Sequence, residues 1–151
     1  MGSGSNGTVY EYFTPDRVRV AAKFLHTLDE ERRERFDFES LVLADLDHEN
    51  IIRIFEVGEH MTTHEHPIPY IITDLFEGNL QGLIEHAGAL KYQEVIEIGS
   101  QICNGFDHVH SKGVIHRDIK PANFFLLGKR VVIGDFGLAK THTNEGKARY
   151  Y

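Results

Sequence analysis

Between positions 116 and 123 the chain reads His-Arg-Asp-Ile-Lys-Pro-Ala-Asn, and three of these side chains can work together. Asp118 can accept a hydroxyl proton or orient a nucleophile. Lys120, two positions on, can neutralise a travelling phosphoryl group, and the Asn123 amide oxygen suits a hard divalent cation. Such fixed residue types at this spacing arise by chance on the order of once in 10⁴ chains of this size or fewer. Twelve residues beyond Asn123 stands Asp135-Phe136-Gly137, whose carboxylate adds a second oxygen ligand. Magnesium keeps several waters, so one Asp, one Asn and a substrate's phosphates suffice.

Two further groups lie upstream. Val20-Ala-Ala-Lys23 carries an ammonium on a strand pattern, and Glu39 falls within an apolar helical stripe formed with Phe36 and Leu43. A buried carboxylate needs a cationic partner, and Lys23, sixteen residues before, is the natural one. Elsewhere a strand lysine is ordinarily solvated. Gly2, Gly4, Gly7 and Val9 form G-x-G-x-x-G-x-V, bare backbone able to fold over phosphates. Taken alone such a segment is more often a flexible leader, and a strand rather than a helix follows it.

The elements that must position these groups can be read from the apolar pattern. Two strands are expected over 9–25, separated by a turn at Thr14-Pro15-Asp16. In the second, Val18, Val20, Ala22 and Phe24 share one face and Arg19, Ala21, Lys23 and Leu25 the other. A helix starts near Thr27, with Glu30 completing a capping box and Glu31 and Arg35 paired along it. Strands are expected at 51–57 and 69–75 and a short helix at 79–86. The longer helix, 91–111, buries Val95, Ile98, Ile102, Phe106 and Val109 and ends at Gly113. Runs at 124–127 and 131–133 form a hairpin around Gly128-Lys129, and 140–151 reads as loop.

These motifs, in this order, resemble the protein-kinase signature set, from the glycine loop to the end of the chain. The resemblance implies an α+β, two-lobed protein-kinase-like fold. Its small antiparallel-sheet N-lobe carries one helix and, with the hinge, spans about residues 1–76. An incomplete, mostly helical C-lobe follows over 77–151, with the catalytic loop and part of the activation segment. It further implies ATP and Mg²⁺ as cofactors and γ-phosphoryl transfer to a protein hydroxyl. By position, Lys23 contacts the α- and β-phosphates, Glu39 orients Lys23, Asp118 is the catalytic base, and Asn123 and Asp135 hold magnesium. Gly2, Gly4 and Gly7 arch over the phosphates; Val9 and Ala21 cover the adenine and Phe125 forms its floor. Thr73 guards the back pocket, and Asp74, Leu75 and Phe76 form a hinge that meets adenine through backbone groups. Lysine at 120 is typical of family members that act on Ser or Thr.

The chain has 151 residues, 41% hydrophobic and 26% charged, with a net charge of −7. That suits a globular chain and argues against a broad nucleic-acid face. Cys103 is the only cysteine, so no internal disulfide forms, and no apolar run is long enough to span a membrane; the chain reads as cytoplasmic. Cys103 is expected to pack in or near the core. His60, His64 and His66 have a spacing able to hold zinc, but with no cysteine nearby an exposed polar hairpin loop is the better reading. Thr141 and Thr143 fall where a regulatory phosphate would meet Arg117, although an unmodified loop threonine is the commoner case, and Lys147 stands where the family usually has threonine. The length also implies a domain truncated before the Ala-Pro-Glu segment. Three readings follow: a partial copy of an active Ser/Thr kinase, an ATP-binding pseudokinase-like or scaffolding module without turnover, and an aggregating fragment.

Overall fold

The expected strand pair over 9–25 forms as β2 (Gly7–Phe13) and β3 (Arg19–Phe24), turned where Arg17 N–H bonds the Thr14 carbonyl at 2.8 Å. The structure, a computed structural model, describes residues 2–4, 7–26, 29–61 and 66–141. The first glycines are not a loose leader: β1 (Gly2–Gly4) pairs antiparallel with β2, setting Gly2 opposite Val9 and Gly4 opposite Gly7. Gly7 is obligatory there, because its φ is +122° and a Cβ would stand 2.3 Å from the Phe24 carbonyl oxygen. With β4 (Ile54–His60) and β5 (Ile68–Asp74) these strands make a five-stranded antiparallel sheet in the order β1-β2-β3-β5-β4. In β3, Val20, Ala21 and Ala22 are all buried, so the strand is covered on both faces, and Val18 falls outside it, exposed.

Helix α1 (Glu30–Ala44) packs beside this sheet. Its cap is Asp29, whose side chain accepts from Arg32 N–H at 3.3 Å. The start therefore lies later than a Thr27 cap would set it, and Thr27 itself is outside the described residues. The apolar stripe holds: Phe36, Glu39 and Leu43 are buried, and Glu31 pairs with Arg35.

The strand expected from residue 51 begins three residues later. Ile51 and Ile52 are drawn down to β9 (Arg130–Ile133), with Ile52 N–H on the Ile133 carbonyl at 2.9 Å and Ile133 N–H on that of Asn50 at 2.8 Å. Asn50 secures this crossing. Its buried amide donates to the Val131 carbonyl at 2.9 Å and to Gln101 Oε1 at 3.1 Å.

Below the hinge come β6 (Gly78–Asn79), α2 (Leu80–Ala87) and α3 (Tyr92–Ser111), then β7 (Val114–Ile115). A 3-10 turn over Pro121–Asn123 leads into β8 (Phe124–Leu127), which hairpins with β9 through Gly128-Lys129. Asn79 caps α2 by accepting from Gly82 N–H at 2.9 Å, and Gly113 follows α3 with φ +70°. Residues 140–141, expected as loop, form β10 (Lys140–Thr141) against β7. The core of this lobe joins Val109, Val131, Ile133 and Phe136 to Val42, Leu43 and Ile51.

Helix α3 departs from the expected burial. Val109 is buried, and Phe106, Ile102 and Ile98 are half-buried, but Val95 is 50% exposed and Cys103 is exposed rather than packed. A helix face is buried only where another element lies on it: α3 packs chiefly on β7 and β9, and residues 91–97 at its start are exposed all round, so Val95 is open although it shares the face of Ile102. The two-lobed α+β architecture otherwise agrees with expectation. Among the described residues no helix is long and apolar enough to cross a membrane.

Candidate active site

Strand β3 and helix α1 bring the first pair together. Lys23 Nζ lies 3.1 Å from Glu39 Oε2, with the glutamate side chain almost wholly buried and the lysine partly open. Phe36, one turn before Glu39, sets its ring 5.9 Å from the ammonium. Antiparallel register places Val9 opposite Lys23, and Ala21 opposite Thr73 on the next strand. The upper wall is thus fixed by backbone pairing.

The lower wall is built around His116, which is 1% exposed. Its Nδ1 accepts from Asp118 N–H at 3.2 Å, so Nε2 carries the proton and donates to the Gly134 carbonyl at 2.9 Å. The imidazole ties the backbone at Asp118 to the backbone before Asp135. Both neighbouring turns are unusual: Arg117 has φ +65° and Asp135 φ +62°, a region that ordinary residues enter only when their surroundings force it. Arg117 is held further by Nε donating to the Leu138 carbonyl at 2.7 Å.

Around Asp118 the polar groups converge. Lys120 Nζ donates to its Oδ2 at 2.6 Å, and Asn123 Nδ2 donates to the same oxygen and to the Asp118 carbonyl, each at 2.9 Å. The Lys120 bond holds the Asp118 carboxyl below its ordinary range; desolvation opposes this, and the Asn123 bond lowers it further. Reciprocally, Asp118 holds the Lys120 ammonium above its usual value. A carboxylate whose pKa is depressed stays ionised as pH falls, until that lower value is reached. In Lys120→Met the main lowering cause is gone, so the acid limb of the pH–rate profile should move to higher pH. An unmoved limb would show that Lys120 does not tune this carboxylate.

One cavity of about 400 Å³ joins the two walls. Lys23, Glu39, Asp118, Lys120 and Asp135 all line it, together with Gly137 and Leu138. Asn123 adjoins it through Asp118; because its amide nitrogen is engaged there, its oxygen is the atom left to meet a cation. The oxygens of Asn123 and Asp135 fit magnesium, which needs few protein ligands, and no cluster of three or more metal-ligating His, Cys, Asp or Glu occurs among the described residues.

Other expected positions lie apart from this cavity. Val9 pairs with Lys23 across the sheet and Ala21 with Thr73, and Phe76 and Phe125 stack with centroids 5.0 Å apart and planes at 28°. Asp74 lines a separate cavity of about 310 Å³ together with His48 and Arg130. Backbone pairing positions Gly2 and Gly4, and Gly7 closes on β3. His60 lies exposed in β4 and His66 is exposed, whereas His64, Thr143 and Lys147 are outside the described residues. Arg32 and Arg35 also line the charged cavity, a contribution not anticipated. Their signal was present: counted back from Glu39 they sit at i−7 and i−4, on its face of α1.

Comparison with known proteins gives a consistent result. The family model for the protein kinase domain matches residues 1–151. A probable serine/threonine-protein kinase of Clostridium perfringens is 34% identical over 100% of this chain and 24% of its own length. Serine/threonine-protein kinase PknJ of Mycobacterium tuberculosis is 34% identical over 97% of the chain and 26% of its own. A probable serine/threonine-protein kinase PknB of Lactococcus lactis is 35% identical over 93% and 23% respectively. The chain spans about a quarter of the length of these curated relatives.

Proposed function

The chain belongs to the protein kinase family, and from that premise we propose that it transfers the γ-phosphoryl group of ATP to a serine or threonine hydroxyl of a protein. The observation that carries this reading is the single cavity in which the Lys23–Glu39 pair faces Asp118, Lys120 and Asp135. Four cationic and three anionic side chains line it, a balance suited to a polyphosphate accompanied by a divalent cation. Residues up to about 76 form the N-lobe and hinge in this reading, and those from 77 the C-lobe.

Each role follows from its surroundings. Glu39, buried on α1, fixes the Lys23 ammonium so that it presents a point charge to the α- and β-phosphates. Asp118, kept ionised by Lys120, takes the proton from the attacking hydroxyl while Lys120 neutralises the group in transit. Asn123 and Asp135 hold magnesium, which when bound offsets negative charge on the phosphates. The glycine hairpin β1–β2 lies over the phosphates, Val9, Ala21, Thr73, Phe76 and Phe125 frame the adenine, and Asp74, which lines the other cavity, meets the base through its backbone.

The test is label transfer from γ-labelled ATP to a generic basic protein. Label should appear on phosphoserine or phosphothreonine and vanish when magnesium is chelated. Lys23→Met should lower the rate about 10²-fold, the scale expected when one preorganised charge is lost. Were nucleotide to raise the unfolding temperature while no label moved, the chain would be a nucleotide-binding module without turnover.

A further inference from the structure

Gly134 directly precedes Asp135, yet its backbone does not call for glycine. Its φ lies outside the left-handed region occupied by Gly7, Gly88, Gly113 and Gly128. Its N–H donates to the Asn123 carbonyl at 3.0 Å, and its carbonyl accepts from His116 Nε2 at 2.9 Å. The peptide on either side of the residue is therefore pinned. What glycine supplies is space. A Cβ at this position would stand 2.7 Å from Phe125 Cε2 and 3.0 Å from Cδ2, with Ile52 Cδ1 at an ordinary 3.6 Å. The Phe125 ring in turn stacks on Phe76 of the hinge. Because the backbone at 134 is held by a hydrogen bond on each side, a methyl group there presses on the Phe125 ring and drives it against the ring it stacks on.

We propose that Gly134 is a positioning residue for the nucleotide base: by omitting a Cβ it lets a phenylalanine lie flat at 125 and so sets the surface on which the purine rests. This builds on the reading of Phe125 as the adenine floor. Glycine at 134 and phenylalanine at 125 form a size-matched pair, in which bulk on one side requires its absence on the other. The phosphate-handling groups take no part in it.

The experiment is a double-variant cycle on the full chain, using displacement of a fluorescent ATP analogue by MgATP and, separately, by inorganic tripolyphosphate. Gly134→Ala should weaken MgATP about tenfold, the scale at which one misplaced methylene acts in a fitted pocket, and leave tripolyphosphate unchanged. Phe125→Leu removes the colliding ring atoms, so adding Gly134→Ala to it should change ATP affinity by less than about twofold. Unfolding without ligand is followed in parallel. If Gly134→Ala alone does not fold, the cycle is read from Phe125→Leu, where added bulk at 134 should still be silent. An unchanged ATP affinity in Gly134→Ala, an equal loss for tripolyphosphate, or a tenfold loss in the Phe125→Leu background overturns the inference. Failure of the unaltered chain to bind either ligand overturns the nucleotide reading itself, and this pairing with it.

Discussion

Replacing Asp118 with asparagine is expected to slow phosphoryl transfer by about 10³-fold while nucleotide affinity changes little. The substitution keeps the side chain's shape, and an amide oxygen can still accept from Lys120. What disappears is the capacity to take up a proton. The carboxylate stands at the meeting point of the Lys120 ammonium and the Asn123 amide, at 2.6 and 2.9 Å, and both donors favour its ionised form. Initial rates of label transfer, set beside nucleotide affinity for the same protein, separate chemistry from binding. A rate reduced by less than tenfold would mean that the proton leaves by another route.

His116→Ala should destabilise the chain by about 3 kcal/mol, combining a cavity in the core with loss of two hydrogen bonds. The imidazole packs edge-on against Phe136, centroids 4.6 Å apart, and against Phe106 at 5.9 Å. Its removal leaves the Asp118 N–H and the Gly134 carbonyl each short of a partner. Chemical denaturation should reveal the loss, and the thermal midpoint should drop by roughly 9 °C for a domain of this size. His116→Phe, which restores volume without the hydrogen bonds, should recover part of it. A destabilisation below about 1 kcal/mol would show that the two loops hold their places without this post.

That Asp118, Lys120, Asn123 and Asp135 would come together could be read before any coordinates, from residue type and spacing; Asp118, Lys120 and Asp135 line one cavity and Asn123 bonds Asp118 beside it. Glu39 was legible for another reason: a carboxylate inside an apolar stripe demands a partner, and the strand upstream offered Lys23. What stayed hidden depends on neighbours distant in the chain. Ile51 and Ile52 look like the start of a strand, but the hydrogen bonds that Asn50 and Ile52 make with Ile133 claim the segment for the other lobe. Val95 shares the face of Ile102 but lies in the first turns of α3, where residues 91–97 are all exposed, and Cys103 is turned away from that face. Gly134 resembles any glycine beside a motif, since the space it leaves for Phe125 exists only once β8 and β9 have paired.

The stitching of residues 50–52 to β9 and α3 bears on how the molecule can move. It tethers the segment just after α1 to the lower lobe, so the cleft cannot gape by simple separation. Motion is left as a swing with its pivot near Asn50. Excursion then grows with distance from that fulcrum and is smallest where α1 ends, as in a jaw hinged at the back.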